Sequence, residues 1–281
     1  MTKVYPFLFV FLWSTGFLGA KYGLPYAEPL TFLLVRYVLV IMLMTGMAIF
    51  FRAQWPHTGR HWFHIGVTGV LMHALYLGGV FVAINQGLPA GVCSLVVGLQ
   101  PILTALSAGL FLNERVASRQ WIGLALGFIG VVLVLWGRIS GGFGLHGLLP
   151  ALGALISITV GTIYQKKFCP SFDWRTGSVA QFIPAAVVTV TLVSMTESFH
   201  IDFQFPVIFA LAWLVIVLSI IAMSLLNYLI KTGSATNVAS LFYLVPATTA
   251  ALAWILFDES LTPISLAGMC IALWGVSLAR K

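Results

Sequence analysis

The sequence predicts an all-α integral membrane protein, with ten transmembrane helices arranged as two inverted five-helix repeats. Three observations carry that expectation. Of 281 residues, 60% are hydrophobic and 7% charged, with a mean hydropathy of +1.04; soluble chains are about a quarter charged and have no core that could hide so much apolar side chain. The apolar residues also fall into ten runs, each near the ~20 residues that cross the hydrocarbon layer. Finally, the chain repeats itself at a constant offset of 145 residues.

The runs cover approximately 4–20, 30–51, 62–83, 90–111, 119–137, 146–167, 176–195, 206–229, 235–257 and 263–279, divided by short polar or Gly/Pro-rich breaks. Backbone amides in lipid must be satisfied within a helix or a closed barrel. Barrel strands alternate with period two, and these runs do not, so each is expected to be a helix.

The repeat is clearest in the fourth and fifth runs. Pro101, Glu114, Gly123 and Gly130 recur as Pro246, Glu259, Gly268 and Gly275, and the same offset pairs Gly16 with Gly161, Lys21 with Lys166, Pro25 with Pro170 and Glu28 with Asp173. The expected units are residues 1–138 and 146–281. Five helices is an odd number, so the second unit enters the membrane from the opposite side. Such inverted units form two related states, one open to each face, around a central site.

Basic residues set the expected orientation. With the N-terminus in the cytoplasm, eleven Lys and Arg residues fall on that side, only Lys21 and Arg138 on the other, and Arg36 inside a helix. This positive-inside bias places both termini in the cytoplasm, as expected of a multi-pass protein of a bacterial-type inner membrane. It also accounts for the net charge of +7 without nucleic acid as a partner. Lys3 and the apolar run after it could be read as a signal peptide, but their place in the repeat argues against removal. Cys93, Cys169 and Cys270 are too scattered for a metal cluster or disulfide framework and read as small buried hydrophobes; no cofactor is expected.

These residues resemble a known family. Trp13, Gly16, Lys21 and Arg36 opening the first unit, with Pro101, Glu114, Gly123 and Gly130 closing it, resemble the EamA units of the drug/metabolite transporter superfamily over nearly the whole chain. The nearest type by this resemblance is that of the YddG-type aromatic amino acid exporters, which implies export of small metabolites. In the second unit Ile158 replaces the Trp and Gln181 the Arg, so the implied roles carry over to the first unit alone.

Several residues are candidates for a site. Arg36 is the one charge well inside a run. A buried Arg costs about 2.5–3.5 kcal/mol on insertion scales, so it contacts a substrate carboxylate, or snorkels to headgroups, or pairs with Glu28. His73 is the histidine nearest mid-membrane and shares a helical face with Tyr76 and Val80; it either lines a polar path or is hydrogen-bonded within the bundle. Trp13, Phe17, Tyr76, Tyr164 and Tyr243 are candidate cavity aromatics that could equally pack in the core or at the interfaces. Ser14, Gln100 and Asn227 could orient a ligand or join helices. Pro101 and Pro246 each remove a backbone bond in mid-helix and are candidate hinges or fixed bends. Gly123, Gly127 and Gly130 allow close helix contact within the chain or in a homodimer. His57, His61 and His64 read as a basic rim rather than a metal site.

The function expected is a secondary transporter, not an enzyme, with the lipid bilayer and a small-molecule substrate as partners. Amino acid export leads, and multidrug or nucleotide-sugar transport is the alternative. An intramembrane enzyme needs a nucleophile and base, or metal ligands, in one cavity, and no such motif is present; a scaffold subunit would carry no flux. All seven Asp and Glu residues lie in or beside linkers, so proton coupling through a membrane carboxylate is not expected.

Overall fold

The structure, a computed structural model, describes residues 4–88, 90–111, 117–139, 145–169, 171–233, 235–257 and 262–279. The described residues form ten helical segments: α1 (Tyr5–Gly23), α2 (Pro29–Phe50), α3 (Gly59–Asn85), α4 (Ala90–Val97 and Gln100–Phe111), α5 (Ser118–Ile139), α6 (Leu145–Phe168), α7 (Trp174–Thr196), α8 (Phe205–Thr232), α9 (Ala235–Ser240 and Leu244–Phe257) and α10 (Pro263–Ala279). Five of them, in α2, α3, α6, α7 and α8, are long and apolar enough to cross a membrane, and α1, α5 and α10 contain shorter apolar helices. Glu114 and Glu259 lie outside the described residues.

The crossings between the first five helices and the second five come in matched sets. α2 packs on α7 and α5 on α10, while α1 packs on α8 and α9 as α6 packs on α3 and α4. The α5–α10 crossing brings backbones together at glycine: a Cβ on Gly130 would lie 2.5 Å from the Ala272 amide nitrogen, and one on Gly275 would meet the Gly127 nitrogen. These glycines therefore pack within the chain. Cys93 and Cys169 are buried, but Cys270 on α10 is exposed, facing outward from the bundle instead of into a core.

Four segments are not continuous α-helix. α4 breaks after Val97 and resumes at Gln100, just before Pro101, and α9 tightens into a 3₁₀ turn, Leu241–Tyr243, just before Pro246. In both, proline removes an amide from the ladder. α3 and α8 instead widen into π-turns, Val70–Leu75 and Leu214–Ala222. Gly66 and Gly69 let α7 press against α3 there, with Gly66 facing the Pro184 ring and Gly69 the Gln181 carbonyl. One inserted residue per π-turn rotates the side chains that follow.

The ends of the bundle differ. At the acidic end, the α1–α2 and α7–α8 linkers clasp each other. Glu28 accepts from the Ser198 N–H and hydroxyl and the His200 N–H, at 2.8–3.2 Å. Glu197 accepts from the Leu30 and Thr31 N–H groups and the Thr31 hydroxyl, at 2.7–2.8 Å. A backbone bridge joins Ala27 and Ile201 between them. At the basic end, which carries Arg52, Arg60, Lys166, Lys167, Arg175 and Lys231, the Thr176 hydroxyl donates to the Gln54 carbonyl at 2.7 Å. Two cavities of about 270 and 410 Å³ lie there, sharing Ser171, Phe172, Asp173 and Lys231.

Candidate functional site

A cavity of about 40 Å³ lies inside the bundle, lined from α1 by Trp13, Gly16 and Ala20, from α2 by Arg36, from α3 by Met72, Tyr76, Leu77, Val80 and Phe81, and from α8 by Leu214, Leu218 and Met223. A smaller space of about 10 Å³ shares Trp13 and Tyr76 with it and reaches Ser94, Phe242 and Pro246. Trp13 is held edge-on to Phe242 at 5.5 Å and tilted against Phe9 at 5.1 Å. Its indole is therefore fixed by rings on both α1 and α9.

Arg36 is 4% exposed and its Nε donates to Ser219 Oγ at 2.9 Å. Ser219 sits in the α8 π-turn and donates in turn to the Leu214 carbonyl at 3.0 Å. Glu28 belongs to the clasp, so the pairing with Arg36 considered from sequence is not formed, nor does the guanidinium reach the surface. Among the described residues no carboxylate forms an ion pair with it; the pair present is Asp173 with Arg175, at 2.7 Å. A cation with no carboxylate partner among the described residues thus lines a mostly apolar cavity.

The remaining candidates divide by place. His73 is fully buried but turned from the cavity by the π-turn, stacked on Phe182 at 4.0 Å, and neither ring nitrogen has a hydrogen-bond partner among the described residues. Tyr37 donates to its carbonyl at 2.8 Å. Ser14 joins α1 to α9, donating to the Val10 carbonyl at 2.7 Å and the Val245 carbonyl at 3.3 Å. Gln100 likewise joins α4 to α6, donating to Thr162 Oγ1 at 3.3 Å. Tyr243 is buried against Gly127, where an added Cβ would strike its ring. Tyr164 pairs its hydroxyl with His64 Nδ1 at 2.6 Å. Asn227 accepts from Gln165 Nε2 at 2.9 Å and lines the 270 Å³ cavity. The Phe17 side chain lies outside the described residues.

Trp13, Tyr76 and Arg36 are thus brought together, with Pro246 beside them. This central cavity is lined from α1, α2, α3 and α8, whereas α6 lines the basic-end cavity. Met72, Leu214, Leu218 and Met223 went unnoticed because apolar residues in an apolar helix give no local signal. His57 and His61 line the 410 Å³ cavity, and no group of three metal-ligating side chains occurs among the described residues.

Comparison with known proteins agrees with this architecture. Residues 4–136 and 145–280 each match the EamA-like transporter family. The chain is 29% identical to an uncharacterized transporter, YvbV, of Bacillus subtilis, over 96% of this chain and 88% of that protein. It is 28% identical to a probable amino-acid metabolite efflux pump of Escherichia coli, over 96% and 91% of the two chains. A solved crystal structure at 18% identity superposes with a TM-score of 0.80, covering 98% of this chain and 95% of that one, and shares the fold. The chain belongs to the EamA-like transporter family and is a multi-pass membrane transporter rather than an enzyme.

Proposed function

We propose that the protein is a secondary transporter that exports small metabolites, with aromatic or other apolar amino acids as substrates, across the inner membrane by alternating access. Both termini are cytoplasmic in this reading, which makes the basic end the cytoplasmic one. The observation that carries it is Arg36: a buried guanidinium beside Trp13 and Tyr76, with no carboxylate partner among the described residues. A substrate carboxylate supplies the missing charge, and the aromatic walls take an apolar side chain. The name of the Escherichia coli relative points the same way.

The alternating part rests on inverted repetition, with units 1–138 and 146–281. It is supported by the 145-residue offset, by the matched helix crossings, and by irregularities that obey the same offset. Val70–Leu75 shifted by 145 falls inside Leu214–Ala222, and the broken α4 pairs with the broken α9. Thr31 and Thr176, also 145 apart, reach the opposing linker at opposite ends of the bundle. A clasped acidic end and a cavity-bearing basic end then correspond to the state that faces the cytoplasm.

Reconstitution tests the substrate. Proteoliposomes loaded with labelled tryptophan, phenylalanine or threonine are expected to show protein-dependent flux of at least the aromatic pair. No flux of any amino acid would refute the substrate assignment.

A further inference from the structure

The cavity beside Arg36, at about 40 Å³, is far below the roughly 300 Å³ at which small-molecule pockets begin. The basic-end cavity between α6 and α8, at about 270 Å³, is close to it. We propose that this basic-end cavity is a loading site that binds an apolar α-amino acid before it reaches Arg36. The proposal rests on the reading of the protein as an amino acid transporter, and it adds a second station on the path.

The lining has the chemistry of a zwitterion with an apolar side chain. Gln165 and Asn227 spend one hydrogen bond on each other, and the remaining buried Gln165 Oε1 and Asn227 Nδ2 have no partner among the described residues. Flipping both amides leaves the same balance, one donor group and one acceptor unpaired. The buried Ser224 hydroxyl, one helical turn from Asn227 on α8, is also unpaired. An ammonium needs acceptors and a carboxylate needs donors, and residues of this wall carry both, as buried groups that a side-chain rotation would bring to a ligand.

Charge sorts the ligand further. Lys231 lines the cavity, is exposed, and has no partner among the described residues, whereas Lys166 is engaged by the Ile230 and Gly233 carbonyls at the α8 C-terminus. The Asp173 carboxylate is already taken up by Arg175, which holds it below the usual carboxylate range. Lys166 keeps its charge but spends its donors on two carbonyls, so Lys231 supplies the uncommitted ammonium, suited to one carboxylate. Trp174 and Tyr228 add aromatic side chains to the lining.

Ser171 lines both basic-end cavities and is exposed, which makes it a reporter. The experiment replaces Cys93 and Cys169 with alanine and Cys270 with serine, introduces Ser171→Cys, and follows labelling by a charged methanethiosulfonate in proteoliposomes. L-phenylalanine at ten times its Kd is expected to slow labelling about tenfold by simple occupancy. Phenethylamine, which lacks the carboxylate, is expected not to protect. Lys231→Gln, an exposed change that leaves the bundle intact, should remove most of the protection, while Arg36→Gln should keep it.

Flux of L-phenylalanine with no protection would overturn the loading site and leave the export reading standing. Protection without flux would support the site and refute export. Protection abolished by Arg36→Gln, or unaltered by Lys231→Gln, would assign the effect to the central cavity and overturn the proposal. Absence of both flux and protection would remove both readings.

Discussion

Arg36 of α2 donates through Nε to Ser219 of α8 at 2.9 Å, inside the π-turn of that helix. The bond crosses from one set of five helices to the other. Gln181, 145 residues after Arg36, crosses in the other direction, donating through Nε2 to Thr68 Oγ1 at 3.0 Å beside the π-turn of α3, although Thr68 is not the offset counterpart of Ser219. One of the two contacts presents a cation to a cavity, and the other an amide beside His73. In the proposed reading, that lone cation is the group a ligand carboxylate meets.

Removing the hydroxyl at 219 leaves a buried charged donor unsatisfied, which costs about 1–3 kcal/mol. Ser219→Ala is expected to lower the unfolding free energy by that amount in detergent, and Ser219→Thr to retain most of it. An unchanged melting temperature for the alanine variant would mean that water or another group serves Arg36.

The acidic-end clasp carries a pH dependence of definite sign. The His200 backbone N–H, together with the Ser198 donors, holds the Glu28 carboxyl below its ordinary value of 4.5. A depressed carboxylate stabilises the clasped state fully above pH 4.5 and loses that contribution as pH falls through its lowered value. Spin labels at Pro25 and Phe203 are expected to stay close at neutral pH, to separate in Glu28→Gln at any pH, and in the wild type to separate only in acid. Separation of the wild type near pH 7 would place the switch elsewhere.

Gly130 is a further test of the packing. An alanine there puts a methyl group within 2.7 Å of the Gly268 carbonyl, and overpacking of this kind costs about 1–3 kcal/mol. Gly130→Ala is expected to lower the melting temperature, whereas Gly153→Ala, where an added Cβ meets nothing within 4 Å, is expected to be neutral. Equal effects would contradict the close α5–α10 crossing.

Flux is expected to persist when the pH gradient is collapsed. No Asp or Glu lies within a helix among the described residues, and His73 is packed against a phenylalanine ring away from the cavity. Strict dependence on the gradient, lost in His73→Gln, would instead make His73 a proton carrier.

Much of the fold was legible because bilayer thickness imposes a length and lipid imposes apolarity, so ten runs could be read directly. The breaks at Pro101 and Pro246 were legible for an equally local reason, the missing amide. The π-turns were not, since nothing local marks them: the one in α3 follows Gly69, which meets the Gln181 carbonyl across 112 positions of chain. That miss propagated to the site: a regular helix puts His73 and Tyr76 on one face, and the π-turn separates them. The Glu28 and Glu197 clasp also escaped notice, because reciprocal capping between distant linkers leaves no spacing in the sequence. Arg36 was recognisable from burial cost alone, but its partner, a serine on the opposite repeat, was not.

The most direct test of the transport reading is counterflow at zero pH gradient, with liposomes preloaded with unlabelled L-phenylalanine and diluted into labelled L-phenylalanine. Wild-type protein is expected to give a transient overshoot. Arg36→Gln is expected to raise the KM about 10- to 100-fold, as loss of a charge-assisted hydrogen bond of about 1.5–3 kcal/mol requires, with Arg36→Lys recovering part of it. Counterflow absent in the wild type, or identical in wild type and Arg36→Gln, would contradict a carboxylate site at Arg36.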